Sequence, residues 1–147
     1  MKLPMSEAQN FANHRRFVPM YHYVLTLLAV ATLIGAVVNL VNVGPEGTYS
    51  AALLVALSVA LIIAGFYARA FALAVQDRVI RLEESLRHKE LTGKALDPGI
   101  SLRQIIGLRF ASDEEFPELA ARAAREGISE ADIKKAIKNW RADHARA

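Results

Sequence analysis

YHYVLTLLAVATLIGAVVNLVNV, Tyr21–Val43, and AALLVALSVALIIAGFYA, Ala51–Ala68, are two stretches without a charge on either side of the loop GPEGTYS, Gly44–Ser50. Each is about as long as the roughly 18–20 apolar residues with which a helix crosses a hydrocarbon core ~30 Å thick. A connection this short suffices only for an antiparallel turn, and in lipid every backbone polar group must be satisfied within the helix. The expected fold is therefore all-α and built on a two-helix transmembrane hairpin.

Working outward, the 147 residues, 53% of them hydrophobic, leave room for the hairpin and one small polar region. The divisions expected are an interfacial N-terminal segment 1–20, a hairpin 21–75 with spans at about 21–43 and 51–75, a helical extension 76–92, and a small helical domain 93–147. No cleavable leader is expected, because Met1–Met20 is polar and the first apolar run is too long and too late for a signal h-region. Zero cysteines exclude disulfides, thiolate metal sites and a cysteine nucleophile. Lys2, Arg15 and Arg16 precede the first span and Arg69, Arg78 and Arg81 follow the second, while the loop holds only Glu46. The positive-inside bias then places both termini in the cytoplasm. The net charge of +3 and pI near 9.4 are what such a membrane protein shows without any nucleic-acid surface.

Gln9–Tyr23 mixes Phe11, Phe17, Pro19, Met20, Tyr21 and Tyr23 with His14, Arg15, Arg16 and His22, the composition of a segment lying along headgroups. His14 and His22 lack metal-ligand spacing, with Pro19 between them and no carboxylate nearby. In the first span Thr32, Gly35 and Asn39 share one face, and Asn39 marks a helix–helix contact. In the second, Ala52, Ala56, Ala60, Ala64, Ala68 and Ala72 recur every fourth residue, which lets a neighbouring backbone approach. The row drifts about 40° per step, so no single straight helix can use all of it. Arg69, the one charge in the apolar continuation, reads as an interfacial anchor with a phosphate, carbonyl or carboxylate for a partner; Asp77, two turns on, is too far along the helix to bond it directly.

Nothing breaks the chain between Gly65 and Gly93, which predicts that the second span continues to about Leu91. Ala72, Val75, Val79, Leu82, Leu86 and Lys89 follow coiled-coil spacing, flanked by the i,i+4 pairs Asp77–Arg81, Glu83–Arg87 and Glu84–His88. Beyond Thr92–Gly99, the capping-box spacings Ser101–Gln104, Ser112–Glu115 and Ser129–Asp132 predict three helices at about Leu102–Phe110, Asp113–Glu126 and Glu130–Arg141. Leu102, Ile105, Ile106, Leu108, Phe110, Phe116, Leu119, Ile128, Ile133, Ile137 and Trp140 supply a small core. The last helix carries Lys134, Lys135, Lys138 and Arg141, a basic face suited to anionic lipid headgroups or an acidic protein partner. Nucleic acid is disfavoured, because Asp113, Glu114, Glu115 and Glu118 repel phosphate.

Several strings resemble a known family: Gln9-Asn10, Asn13-His14 and Arg16-Phe17; Tyr67-Ala68-Arg69; Val75 through Glu84; Leu108 through Glu115; and Ile133 through Arg141. They are similar to a family of small bacterial two-span membrane proteins catalogued only as a domain of unknown function, and the likeness extends over nearly the whole chain. It implies the two-span topology and a bacterial origin, for which the expected location is the inner membrane, and it brings no activity, substrate or cofactor. No P-loop, G-x-S-x-G, H-E-x-x-H or dinucleotide glycine pattern occurs, so neither an enzyme nor a cofactor is expected. The favoured function is a homo-oligomeric scaffold or accessory subunit presenting its C-terminal domain to a partner. The alternatives are a small oligomeric channel or transporter lined by Asn39, Asn42 and Arg69, and a membrane-tethered nucleic-acid binder.

Overall fold

No proline lies between Pro45 and Pro98, and a single helix of 45 residues, Thr48–Thr92, fills most of that interval. Gly93 stops it: its φ of +72° is left-handed, and its N–H donates to the Lys89 carbonyl. The computed structural model describes residues 9–14 and 17–143; the flanking charges Lys2, Arg15 and Arg16 lie outside the described residues. The chain forms two units, Arg16–Ala72 and Met1–Arg15 with Leu73–Ala147. Among the described residues all elements are helical: α1 at Met20–Asn42, α2 at Thr48–Thr92, α3 at Leu102–Leu108, α4 at Phe116–Glu126 and α5 at Glu130–Ala136. α1 and α2 are both long and apolar enough to cross a membrane.

In the first unit, α1 opens as a π-helix over Met20–Leu25, just after Pro19, which has no N–H to give. The Thr26 hydroxyl donates to the Tyr21 carbonyl five residues back, at 3.4 Å. The connection to α2 is shorter than Gly44–Ser50, because the helix resumes at Thr48. Gly47 closes the turn on the Gly44 carbonyl at 3.0 Å, and a Cβ there would overlap the Val43 side chain.

In the second unit, Ile80, Ile100, Ile105, Leu108, Phe110, Phe116, Leu119, Ile133 and Ile137 form the core. Two of the three expected caps form. Ser101 and Gln104 make a reciprocal capping box, and Ser129 accepts from the Asp132 N–H. The middle helix starts at Phe116 rather than Asp113, with Glu115 as its cap residue and no side-chain cap bond. The last helix ends at Ala136, five residues before Arg141. Ile137 turns extended (φ −67°, ψ 124°), and Ala111 and Trp140 form an antiparallel bridge in which Arg141 N–H donates to Phe110 O at 2.7 Å and Ser112 N–H to Asn139 O at 3.1 Å. The Glu115 carboxylate accounts for both departures. It accepts the backbone N–H of Lys138 at 3.1 Å and of Asn139 at 3.2 Å, so it holds the amides of the final segment.

α3 crosses α5 closely at Gly107, where a Cβ would meet the Glu130 carbonyl oxygen at 3.2 Å and Ile133 Cβ at 3.3 Å. These neighbours are backbone and a buried β-branched side chain, which cannot swing away. Gly107→Val is expected to destabilise the unit by about 1–3 kcal/mol through overpacking, with Gly107→Ala milder. Chemical denaturation followed by fluorescence of Trp140, the one tryptophan, checks both variants.

Candidate functional site

Within the hairpin, the buried positions are small and seven residues apart: Ala29 and Ala36 on α1, and Ala51 and Ser58 on α2. Ala36 and Ser58 face one groove of about 270 Å³, also lined by Thr32, Gly35 and Asn39 of α1 and Leu54, Leu57 and Leu61 of α2. Thr32 and Ser58 donate their hydroxyls to carbonyls four residues back, at 2.7 and 2.8 Å. The next step of seven on α2 reaches Gly65, whose carbonyl accepts the Tyr21 hydroxyl at 2.5 Å. One turn further, the Arg69 guanidinium lies 5.9 Å from the centre of the Tyr21 ring, a cation–π contact. The tyrosine thus joins the two helices and takes the face of the arginine. Ala56, Ala60, Ala64 and Ala68 are exposed, as are Gly35 and Asn39. The alanine row is not the surface on which the chain packs its own hairpin.

Along the rest of α2 the two sides of the helix are used differently. Ile80, Glu84 and Arg87 are buried within the folded unit, whereas Val75, Val79, Leu82 and Leu86 are exposed, with Arg78 beside them; Asp77 is half-buried. Arg87 pairs with Glu84 at 3.0 Å, not with Glu83 as the i,i+4 spacing suggested. Its Nε donates to Asp113 Oδ1 at 2.7 Å and its Nη2 to the Ala111 carbonyl at 2.7 Å. Its Cζ stands 4.5 Å from the centre of the Phe116 ring. A planar fork with five donors is what three acceptors in separate directions require. Glu84 also lies 3.8 Å from Arg141. Arg87 therefore clamps α2 to the turn ahead of α4, and nothing in its local sequence distinguishes it from a solvated surface arginine.

The basic C-terminal face is broken up. Lys134 is buried: its Nζ meets Glu130 at 2.6 Å and His14 Nε2 at 3.3 Å, above the Phe110 ring. Lys138 and Arg141 lie beyond the end of α5, and Arg141 turns toward Glu84. Lys135 remains exposed, 4.0 Å from Asp132, and Lys138 is exposed as well. The Glu114 carboxyl is held below the usual carboxylate range, chiefly by its own backbone N–H.

Gln9–His14 sits against the same unit. Gln9 Nε2 donates to the Asp143 carbonyl at 3.1 Å and Asp143 N–H returns a bond to Gln9 Oε1 at 2.8 Å, a two-way amide pair. The His14 ring meets Phe110 edge-on at 5.7 Å and Trp140 at a tilt at 5.9 Å. These residues were expected along headgroups. Aromatic contact and paired amides hold Gln9–His14 on protein. Gln104 is a second side chain with more than its expected cap role: its Nε2 bridges the carbonyls of Ala123 and Ile128 at 3.1 and 3.0 Å, fixing the end of α4 to the start of the α5 connection.

Among the described residues no three His, Asp or Glu side chains gather as a metal site. The arrangement offers contact surfaces: an apolar stripe on α2, an exposed small-residue row and a groove within the hairpin. No curated protein and no solved structure matches the chain. A family model matches residues 5–147, almost the full length, and the chain belongs to that family, the family of unknown function DUF6526.

Proposed function

We propose that the chain is a two-span protein of a bacterial inner membrane that self-associates and holds out its C-terminal helical unit for a partner, as a scaffold or accessory subunit. The observation that carries this reading is the exposed row Ala56, Ala60, Ala64 and Ala68. The hairpin packs through other small residues, so the row is left for a neighbouring helix, and small residues at this spacing are what close helix contact in lipid needs. The most apolar 18-residue windows of α1 and α2 are only 11% buried, so the chain does not cover them itself and a bilayer would. The two-way Gln9–Asp143 pair supports a reading in which residues 9 and 143 lie in one compartment, in keeping with an even number of spans. With Arg78 and Arg81 after the spans and only Glu46 between them, that compartment is the cytoplasm. Lys135 and Lys138, exposed on the C-terminal unit, suit anionic headgroups or an acidic partner protein. No catalytic residue or cofactor belongs to this proposal. A nucleic-acid role loses ground, because Lys134 is spent on Glu130 and Arg141 is turned to Glu84.

Native mass spectrometry of the full chain in nanodiscs provides the test. A defined oligomer is expected for the wild type, and Ala60→Leu/Ala64→Leu is expected to dissociate it or lower its order. A monomeric wild type would overturn self-association.

A further inference from the structure

On α2, Ala72, Val75, Val79, Leu82, Leu86 and Lys89 occupy successive a and d positions of a heptad pattern. In the same frame Ile80 and Arg87 fall at b and Glu84 at f, and these are the side chains buried in the folded unit. The chain has used the side of the helix opposite a and d. Val75, Val79, Leu82 and Leu86 keep 47% to 62% of their surface exposed. Hydrocarbon is a poor cover for them, since Asp77, Arg78, Arg81 and Glu83 are interleaved with the stripe and would be carried into it.

We propose that this stripe pairs with the same stripe of a second copy of the chain, parallel and in register. The inference rests on the self-association reading above and places its contact at the end of the second span and along the helix beyond it. Charge selects the arrangement. In a parallel pair the g residue of one helix faces the e residue of the following heptad on the other, which sets Arg78 against Glu83 of the second copy, twice by symmetry. Both residues are exposed, and among the described residues neither has an ion-pair partner within its own chain. An antiparallel pair would instead bring e to e and g to g, setting glutamates Glu83 and Glu90 toward one another. Val79 at a and Leu82 at d is the combination that favours two strands over three or four. So short a seam is too weak to associate from solution. Because α2 runs unbroken from its apolar span into the seam, membrane insertion gives two copies the same polarity and a high local concentration.

The absence of cysteine makes the test direct. Val79→Cys and Leu82→Cys in the full chain, in nanodiscs treated with a mild oxidant, are expected to form disulfide-linked dimers roughly tenfold faster than Arg81→Cys on the outer side of the same helix, since the bond demands Cβ atoms about 4 Å apart. In the Leu82→Cys background, Arg78→Glu or Glu83→Arg is expected to slow linkage about threefold, and the two together to restore it. Equal rates at positions 79, 82 and 81, or no restoration by the charge exchange, would overturn the pairing. The native mass of the same samples separates the causes. An oligomer without seam linkage sinks this contact and leaves the scaffold reading standing, whereas a monomer removes both.

Discussion

Arg87→Ala is expected to lower the stability of the C-terminal unit by about 3–5 kcal/mol, the cost of removing one partner from a buried ion pair. The size follows from what is left behind. Glu84 has only 7% of its side chain exposed, and its nearest remaining cation is Arg141 at 3.8 Å. The Ala111 carbonyl loses its donor, and Phe116 loses the guanidinium over its face. Arg87→Lys keeps the charge but cannot reach Glu84, Asp113 and the carbonyl together, so it is expected to fall between wild type and alanine. Arg87→Met combined with Glu84→Leu removes both charges and fills the space, and it is expected to recover much of the loss. Denaturant unfolding of the full chain, followed through Trp140, gives all three values. A single alanine variant no weaker than an ordinary surface change, about 0.5 kcal/mol, would show that the clamp contributes nothing.

Arg87 also shows where the sequence stops being informative. Both long helices were legible because charge-free length and the lack of proline are local properties, and the end of α2 at Gly93 was marked by its one left-handed residue. The caps at Ser101 and Ser129 were legible for the same reason. Arg87 takes its partners from Ala111 and Asp113, 24 and 26 residues away, while the local pattern offered Glu83 and a solvated face. Lys134 looked like part of a basic stripe until Glu130, His14 and Phe110 enclosed it. The spacing of Ile133, Ile137 and Trp140 suits a helix, yet Glu115 captures the amides of Lys138 and Asn139 and the chain leaves helical geometry. In the hairpin the alanine row is the most regular feature to the eye, but burial follows the sparser step of seven through Ala51 and Ser58. Abundant small residues hid that second period inside the first.

Phe110→Ala is expected to cost a similar 3–5 kcal/mol, as for other fully buried aromatic truncations, and to do so with a distinct signature. The ring is completely buried, and four groups meet on it: Trp140 at 5.2 Å, His14 at 5.7 Å, the Lys134 ammonium at 5.4 Å and the Arg109 guanidinium at 4.6 Å. Its backbone bonds to Arg141 and Gly107 survive the substitution, so the effect isolates the side chain. Two segments remote in sequence, Gln9–His14 and the extended segment at Trp140, therefore share one support. Truncation is expected to shift Trp140 emission to the red and to remove hydrogen-exchange protection from residues 9–14 together, while α4 remains protected. His14→Ala should release only the N-terminal segment, at about 1–3 kcal/mol for its two aromatic contacts with Phe110 and Trp140. If residues 9–14 stay protected in Phe110→Ala, the two-way amide pair of Gln9 with Asp143 holds the segment without the ring, and the aromatic cluster is packing alone.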